Sequence, residues 1–276
     1  MELEDNKKKN TRLLAGVSLL LLLVIFAAFF LYDKSQQKIH DLPFILESGR
    51  LSVLTDSSSI GFSVKGDSVS GFQYEIVKAF ADKLGVELVI SEQNDLKLSI
   101  DGLITGDFNI VANFIPNTTQ LKNQVMLTDP LFISRQVLVQ RILSDSIAPK
   151  LIKKQHELAN DSIYIPANSP YKKRLENLSN EIASKINIFE IKGLSAEQMV
   201  NLVTTGKIKY TICEEQFAQK LKFKYPNIDI SLPIGFAHKL SWAVHPKSPK
   251  LLKELNDFLN DFIGSSAYWD IYRKYY

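Results

Sequence analysis

The sequence predicts an α/β protein of two similar lobes joined by a two-strand hinge, preceded by one apolar helix. Three observations point there. Strand-like and helix-like segments alternate along most of the chain, the pattern of a mainly parallel sheet. One phrase occurs twice: a helix, Gly106 and FNIVAN over 108–113, then a helix, Gly206 and IKYTIC over 208–213. The alternation also closes one unit, opens a second, and returns with a single strand and terminal helices that need a sheet to cover. In both repeats a glycine stands where the left-handed turn that stops a helix is required. A polar loop follows at the carboxyl end of the strand, where open α/β sheets bind ligands.

Composition sets the bounds. The 276 residues allow one large or two modest domains with a buried core. Hydrophobic residues at 45% and charged residues at 23% are ordinary for a globular protein. A formal charge of +3 without a long basic run gives no footprint for nucleic acid. The single cysteine, Cys213, excludes internal disulfides and a cysteine-based zinc site. Its place at the end of a predicted strand marks it as a buried structural thiol.

The segment Leu13–Tyr32 holds no charged residue. At helical rise it spans about 30 Å, the thickness of a bilayer's hydrocarbon core. Lys7, Lys8, Lys9 and Arg12 precede it, and only Lys34 and Lys38 follow closely. That bias keeps residues 1–12 in the cytoplasm and sends the rest across the membrane. The residues before Ala27 and Ala28 are bulky, so no cleavage site is evident, and no cysteine follows for lipid attachment. The expectation is an uncleaved, single-pass signal anchor in the inner membrane, with the soluble domain in the periplasm. Residues 33–45 form a polar spacer in which Pro43 breaks any long helix.

Leu51–Asp56 reads as the first strand, followed by a loop dense in Ser and Gly. Phe72–Leu84 places apolar residues at 72, 76, 79, 80 and 84, one face of a helix that Gly85 stops. Val86–Ile90 is the second strand, the first copy of the repeat supplies a helix and the third strand, and Arg135–Ile142 is strand-like. A second βαβαβα unit then runs over about 144–227: strand Ile163–Pro166, helix Ser169–Ile182, strand Ile186–Ile191, helix Ala196–Thr205, strand Tyr210–Cys213 and helix Glu215–Lys224. Ile230–Pro246 is strand-like again. A helix with a Ser-Pro start repeats Leu at 251, 252, 255 and 259, and an aromatic helix, AYWDIYRKYY, follows Gly264. Lobe 1 is thus expected over 46–140 and 234–276, and lobe 2 over 141–233. Crossings near Arg135–Ile142 and Ile230–His238 make a hinge that a ligand would close.

The stretch LSVLTDSSSIGFSVKGDSVSGFQYEIVKAFADKLGVEL resembles the opening of family 3 solute-binding proteins, the type II periplasmic-binding-protein fold. With DGLITGDFNIVANFIPNTTQLKNQ, DPLFISRQVLVQR and LVTTGKIKYTICEE, the chain is also similar to the amino-terminal domain of membrane-bound lytic transglycosylase F. The likeness covers Arg50 to Tyr276. It implies a ligand clamped between lobes, and in amino-acid binders an arginine after the third strand that grips the ligand carboxylate with its forked guanidinium. Here that tripeptide is Thr119-Gln120-Leu121, with Lys122 adjacent. The aspartate of the family's Gly-Phe-Asp helix start is Gln73, and the second-lobe acid that meets the ligand's ammonium falls on Glu214. Free amino acids are therefore disfavoured as ligands.

Candidate ligand-binding residues are Phe62, Asn113, Phe114, Thr119, Ser169 and Glu214. Asn113 and Phe114 end the third strand; Asn both donates and accepts hydrogen bonds, although turn chemistry explains it equally. Thr119 lies in the loop beyond and suits either a ligand or a helix N-cap. Phe62 can stack on a ligand or plug its lobe. Ser169 precedes Pro170 at a helix start, where free N–H groups attract anions. No nucleophile–base arrangement, P-loop, cofactor motif or metal spacing emerges, and His40, His156, His238 and His245 read as surface or packing residues. The transglycosylase resemblance implies a separate catalytic domain that this stretch does not include. The expectation is a non-enzymatic sensor of a small polar ligand such as a cell-wall peptide or muropeptide. Its candidate partners are a membrane permease or a cell-wall enzyme. An importer's binding component and a protein of peptidoglycan turnover are the alternatives.

Overall fold

A computed structural model describes residues 21–26, 41–143 and 151–276. The expected membrane span 13–32 lies outside these residues except for 21–26, which are helical, and no described helix is long and apolar enough to cross a membrane. Residues 39–276 form one compact unit.

Helix α1 (Leu42–Ser48) opens the unit, with Pro43 in its first turn and Asp41 accepting a hydrogen bond from the Leu42 N–H at 2.8 Å. Pro43 therefore starts a helix where the spacer was expected to continue, because a first-turn proline forfeits no helical hydrogen bond. Gly49 turns the chain at φ 67° into β1 (Arg50–Thr55). The Ser/Gly loop contains a hairpin, β2 (Ser63–Lys65) and β3 (Ser68–Ser70), too short to show periodicity in the sequence. Then come α2 (Phe72–Leu84), β4 (Glu87–Glu92), α3 (Leu96–Thr105), β5 (Ile110–Pro116), a short α4 (Thr119–Lys122), β6 (Met126–Leu127) and β7 (Phe132–Ser134). The second lobe has β8 (Gln136–Arg141), β9 (Ser162–Pro166), α5 (Tyr171–Glu181), β10 (Asn187–Ile191), α6 (Ala196–Thr204), β11 (Tyr210–Glu214), α7 (Glu215–Lys224) and β12 (Ile228–Asp229). The chain returns through β13 (His238–Val244), α8 (Pro249–Phe262) and α9 (Ser266–Tyr275).

Two sheets result. The first runs β4-β1-β5-β13-β6, with β7 also on β13; the second runs β10-β9-β11-β8-β12. The repeat places β5 and β11 in the same position, each beside the first strand of its sheet, and Gly106 and Gly206 both take positive φ (83° and 76°). Sheet membership moves the expected lobe boundary. Strand β8 pairs antiparallel with β11 and β12, so lobe 2 begins at Gln136 rather than 141. The crossings are at Ser134–Gln136 and between Pro233, which bridges Val137, and His238, which pairs with Ser134.

Under the first sheet, α2 buries Phe72, Ile76, Val77 and Phe80. Phe72 is ringed edge-on by Tyr268, Tyr272, Tyr275 and Tyr276 at 5.2–6.4 Å, so the tyrosines of the terminal helix pack on the core, while Trp269 is exposed. Gln73 is buried and accepts the Trp242 indole N–H at 2.7 Å, a packing role away from any cleft. Cys213 is a buried free thiol whose pKa burial pushes well up.

Candidate functional site

The carboxyl ends of β1, β5, β9 and β11 converge on a cavity of about 120 Å³ between the lobes. Lobe 1 contributes Asp56, Ser58, Asn94, Asn113 and Phe114; lobe 2 contributes Ser169, Tyr171 and Glu214. Asn113 holds the rim of its own lobe, its Oδ1 accepting the Asp56 N–H at 3.1 Å. The loop after β1 folds back on itself, with the Ser58 and Phe62 N–H groups both donating to the Asp56 carbonyl. A side chain at Gly71 would come 2.1 Å from the Gly61 carbonyl oxygen, so only glycine lets this loop lie on the start of α2. Burial raises the Asp56 carboxyl above its usual range, partly countered by a hydrogen bond from Ser58. Burial likewise pushes the Tyr171 phenol well up.

Glu214 ends β11 and precedes α7, and is 6% exposed. Its Oε1 lies 3.3 Å from His238 Nε2, while Oε2 is buried without a hydrogen-bond partner among the described residues. His238 Nδ1 sits 3.2 Å from the Phe236 carbonyl, so both ring nitrogens face acceptors. A neutral imidazole donates from only one nitrogen. Burial opposes the charge, but Glu214 and the Phe236 carbonyl outweigh it and raise the His238 pKa above 6.5. Read from the sequence as a surface or packing residue, His238 instead stands beside the cleft acid, on the returning hinge strand, and is its counter-ion when protonated. Beside it, Arg135 grips Glu215 with two hydrogen bonds of 2.8 and 2.7 Å across the other crossing.

The lobes are drawn together. Ser59 donates to Glu197 Oε2 from its N–H at 2.9 Å and its hydroxyl at 2.8 Å, and Lys224 holds Glu197 Oε1 at 2.7 Å. Asn94 donates to the Gly193 carbonyl at 3.0 Å, and Asn168 to Asp95 at 2.7 Å. Burial would raise the Glu197 pKa, yet the Lys224 and Ser59 hydrogen bonds bring it below 4.5.

Beyond this pocket the cleft widens into an outer chamber of about 680 Å³ that shares Leu96, Ser169 and Pro170 with it. Leu121, in the family's arginine position, lines this chamber, whereas Lys122 lines a separate groove beside β13. Four of the expected site residues therefore meet in one cavity: Asn113, Phe114, Ser169 and Glu214. Phe62 does not line it; its ring packs edge-on to Tyr74 at 5.4 Å. Thr119 is exposed in the first turn of α4, capped by Thr118, whose hydroxyl accepts the Leu121 N–H. Sequence reasoning missed Asp56, Ser58, Asn94 and Tyr171. Asp56 ends a predicted strand, so the strand-end rule could have found it; Tyr171 lies in a helix with no local signal.

The sequence profile of bacterial extracellular solute-binding proteins, family 3, matches residues 51–276. Membrane-bound lytic murein transglycosylase F of Desulfosudis oleivorans is 26% identical over 269 residues, 96% of this chain and 57% of that protein. Its namesake from Pseudomonas putida is also 26% identical, covering 90% of this chain and 50% of its own length. The chain spans about half the length of these relatives. Among solved structures, an ancestral arginine-binding protein bound to arginine superposes with a TM-score of 0.70 at 21% identity, covering 83% of this chain and 98% of its own. The binding protein of an amino acid ABC transporter gives 0.69 at 21% identity, covering 82% and 99%. The fold is thus the mixed α/β type II solute-binding fold, and the chain belongs to family 3 of the bacterial extracellular solute-binding proteins.

Proposed function

We propose that this chain is a membrane-anchored solute-binding domain that closes on a small polar ligand and signals or regulates. It would sit on the periplasmic face, held in the inner membrane by residues 13–32. The observation carrying this reading is Glu214, a buried acid of the interlobe pocket with one oxygen 3.3 Å from His238 and the other without a hydrogen-bond partner among the described residues. A buried acceptor left without a partner is costly unless something else supplies the donor. With Asp56 in the same cavity, the complement is an ammonium or another N–H donor. The inner pocket is well below the roughly 300–1,000 Å³ of drug-sized ligand sites, so it suits a head group. A cell-wall peptide or muropeptide would present its amine there and leave the rest in the outer chamber. Candidate partners are a permease or a cell-wall enzyme, and the domain's own role is binding rather than catalysis.

Thermal-shift measurements on the purified chain with muropeptides and amino acids test this. A rise in Tm that disappears in Glu214→Gln is expected; no shift with any of them removes the main support. Protease accessibility in spheroplasts tests the anchor, with digestion of the domain from outside expected. A second reading is the binding component of an amino-acid or peptide importer. It is favoured by Ser169, just before α5, which lines the same pocket as Glu214 and would receive a ligand carboxylate there. Copurification with a permease would decide for it.

A further inference from the structure

We propose that the outer chamber is a second subsite that reads an amide group. The cleft would then take a ligand with an ammonium in the inner pocket and a peptide-type amide next to it. This rests on the ligand-binding reading above, and extends it to residues of the chamber and to the ligand's polarity.

Two primary amides, Gln136 and Asn117, line the chamber, and their oxygens, Oε1 and Oδ1, are buried without a partner among the described residues. Both residues are fixed through their backbones. The Gln136 carbonyl accepts the Ile234 N–H at 2.8 Å, and the Asn117 N–H donates to the Lys239 carbonyl at 2.9 Å. Gln136 is 6% exposed at the start of β8 and is among the residues lining the chamber. Gly235 lies against it; a Cβ there would stand 3.6 Å from Gln136 Oε1, an ordinary contact.

Charge around the chamber argues for a neutral group. Lys97 is paired with Asp101 at 2.6 Å, Lys172 with Glu190 at 2.5 Å and Arg174 with Glu181 at 2.6 Å. Lys173 lies 3.8 Å from Glu176. Each of these cations already has its carboxylate. The two unpartnered oxygens call for N–H donors, which an amide supplies while staying neutral; a trans peptide amide gives its N–H to one partner and turns its C=O toward another. The two chambers share Ser169 and Pro170, so an amide following the ammonium arrives beside Gln136. Phe236, 84% exposed, supplies an apolar wall for whatever follows.

Isothermal titration of the purified full chain with L-alanine, L-alaninamide and alanyl-alanine tests the subsite. All three carry the ammonium, and only the last two carry an amide. The amide-bearing probes are expected to bind about tenfold tighter than alanine. Gln136→Leu should abolish that preference, leave alanine affinity at the wild-type value, and leave the ligand-free Tm unchanged or raised, since it removes a buried acceptor that no protein group satisfies. Gly235→Ala, whose Cβ would make only ordinary contact with Gln136, should keep the preference. Alanine binding with no amide preference, or a preference that survives Gln136→Leu, overturns the subsite alone. A lowered ligand-free Tm in Gln136→Leu assigns Gln136 a structural role and also overturns it. Failure of all three probes to bind while a muropeptide still raises Tm overturns the subsite alone; failure of the probes and of every muropeptide overturns the underlying reading with it.

Discussion

At the scale of single residues, the pairing of His238 with Glu214 decides the electrostatics of the cleft. Burial by itself disfavours the imidazolium; the carboxylate 3.3 Å away restores it. His238 should therefore titrate above 6.5 in the wild-type chain and drop to or below 6.5 in Glu214→Gln, as followed by imidazole NMR. The sign for stability follows from the raised value. The pair's contribution is complete below pH 6.5 and is lost as pH rises through the folded-state pKa. None of this was legible from His238 in the sequence, since its partner is 24 residues earlier on another element. Glu214 was legible because it ends its strand; Asn113 and Phe114, expected at the end of theirs, sit within β5, whose pairing with β13 carries it on to Pro116. Thr119 was not distinguishable from Thr118, because one residue of register decides which side chain caps a helix.

At the scale of elements, one carboxylate ties the start of the domain to its end. Asp41 accepts the Leu42 N–H of α1 and the Leu251 N–H of α8, both at 2.8 Å. Two helix starts with first-turn prolines thus share one cap. Asp41→Ala should cost about 2 kcal/mol in urea denaturation, the upper end for a single N-cap. Phe72 does the corresponding work for α2, packed among Phe132 and the tyrosines of α9. Phe72→Ala should cost about 3–5 kcal/mol, the range for deleting a buried aromatic. The helix periodicity around Phe72 announced a buried face; that α9 would cover it was not written locally.

At the scale of the whole molecule, closure rests on Ser59, Asn94 and Asp95 of lobe 1 meeting Glu197, Gly193 and Asn168 of lobe 2. Glu197 contributes most as an anion, because an ionised carboxylate accepts the two Ser59 bonds while Lys224 balances it. Glu197→Gln should lengthen the interlobe distance measured by electron–electron resonance between spin labels on the two lobes. Because its folded pKa lies below 4.5, the latch is present above that pH and is lost as pH falls through the lower, folded value. The same distance measurement in an acid titration should show the opening, and Glu197→Gln should abolish the titration.

The sequence by itself determined the two-lobed α/β architecture, because hydrophobic period and glycine stops are local and occur twice, at Gly106 and Gly206. It also placed the ligand cleft at the strand ends and marked Leu121 where a carboxylate-binding arginine would stand. Only the tertiary structure decided that β8 belongs to the second sheet, that Asp56 and Glu214 share one cavity, and that Glu197 bonds a loop 138 residues away. The physical reason is that strand partners, shared burial and hydrogen bonds across a cleft depend on how the two sheets close upon each other. No run of neighbouring residues encodes that closure.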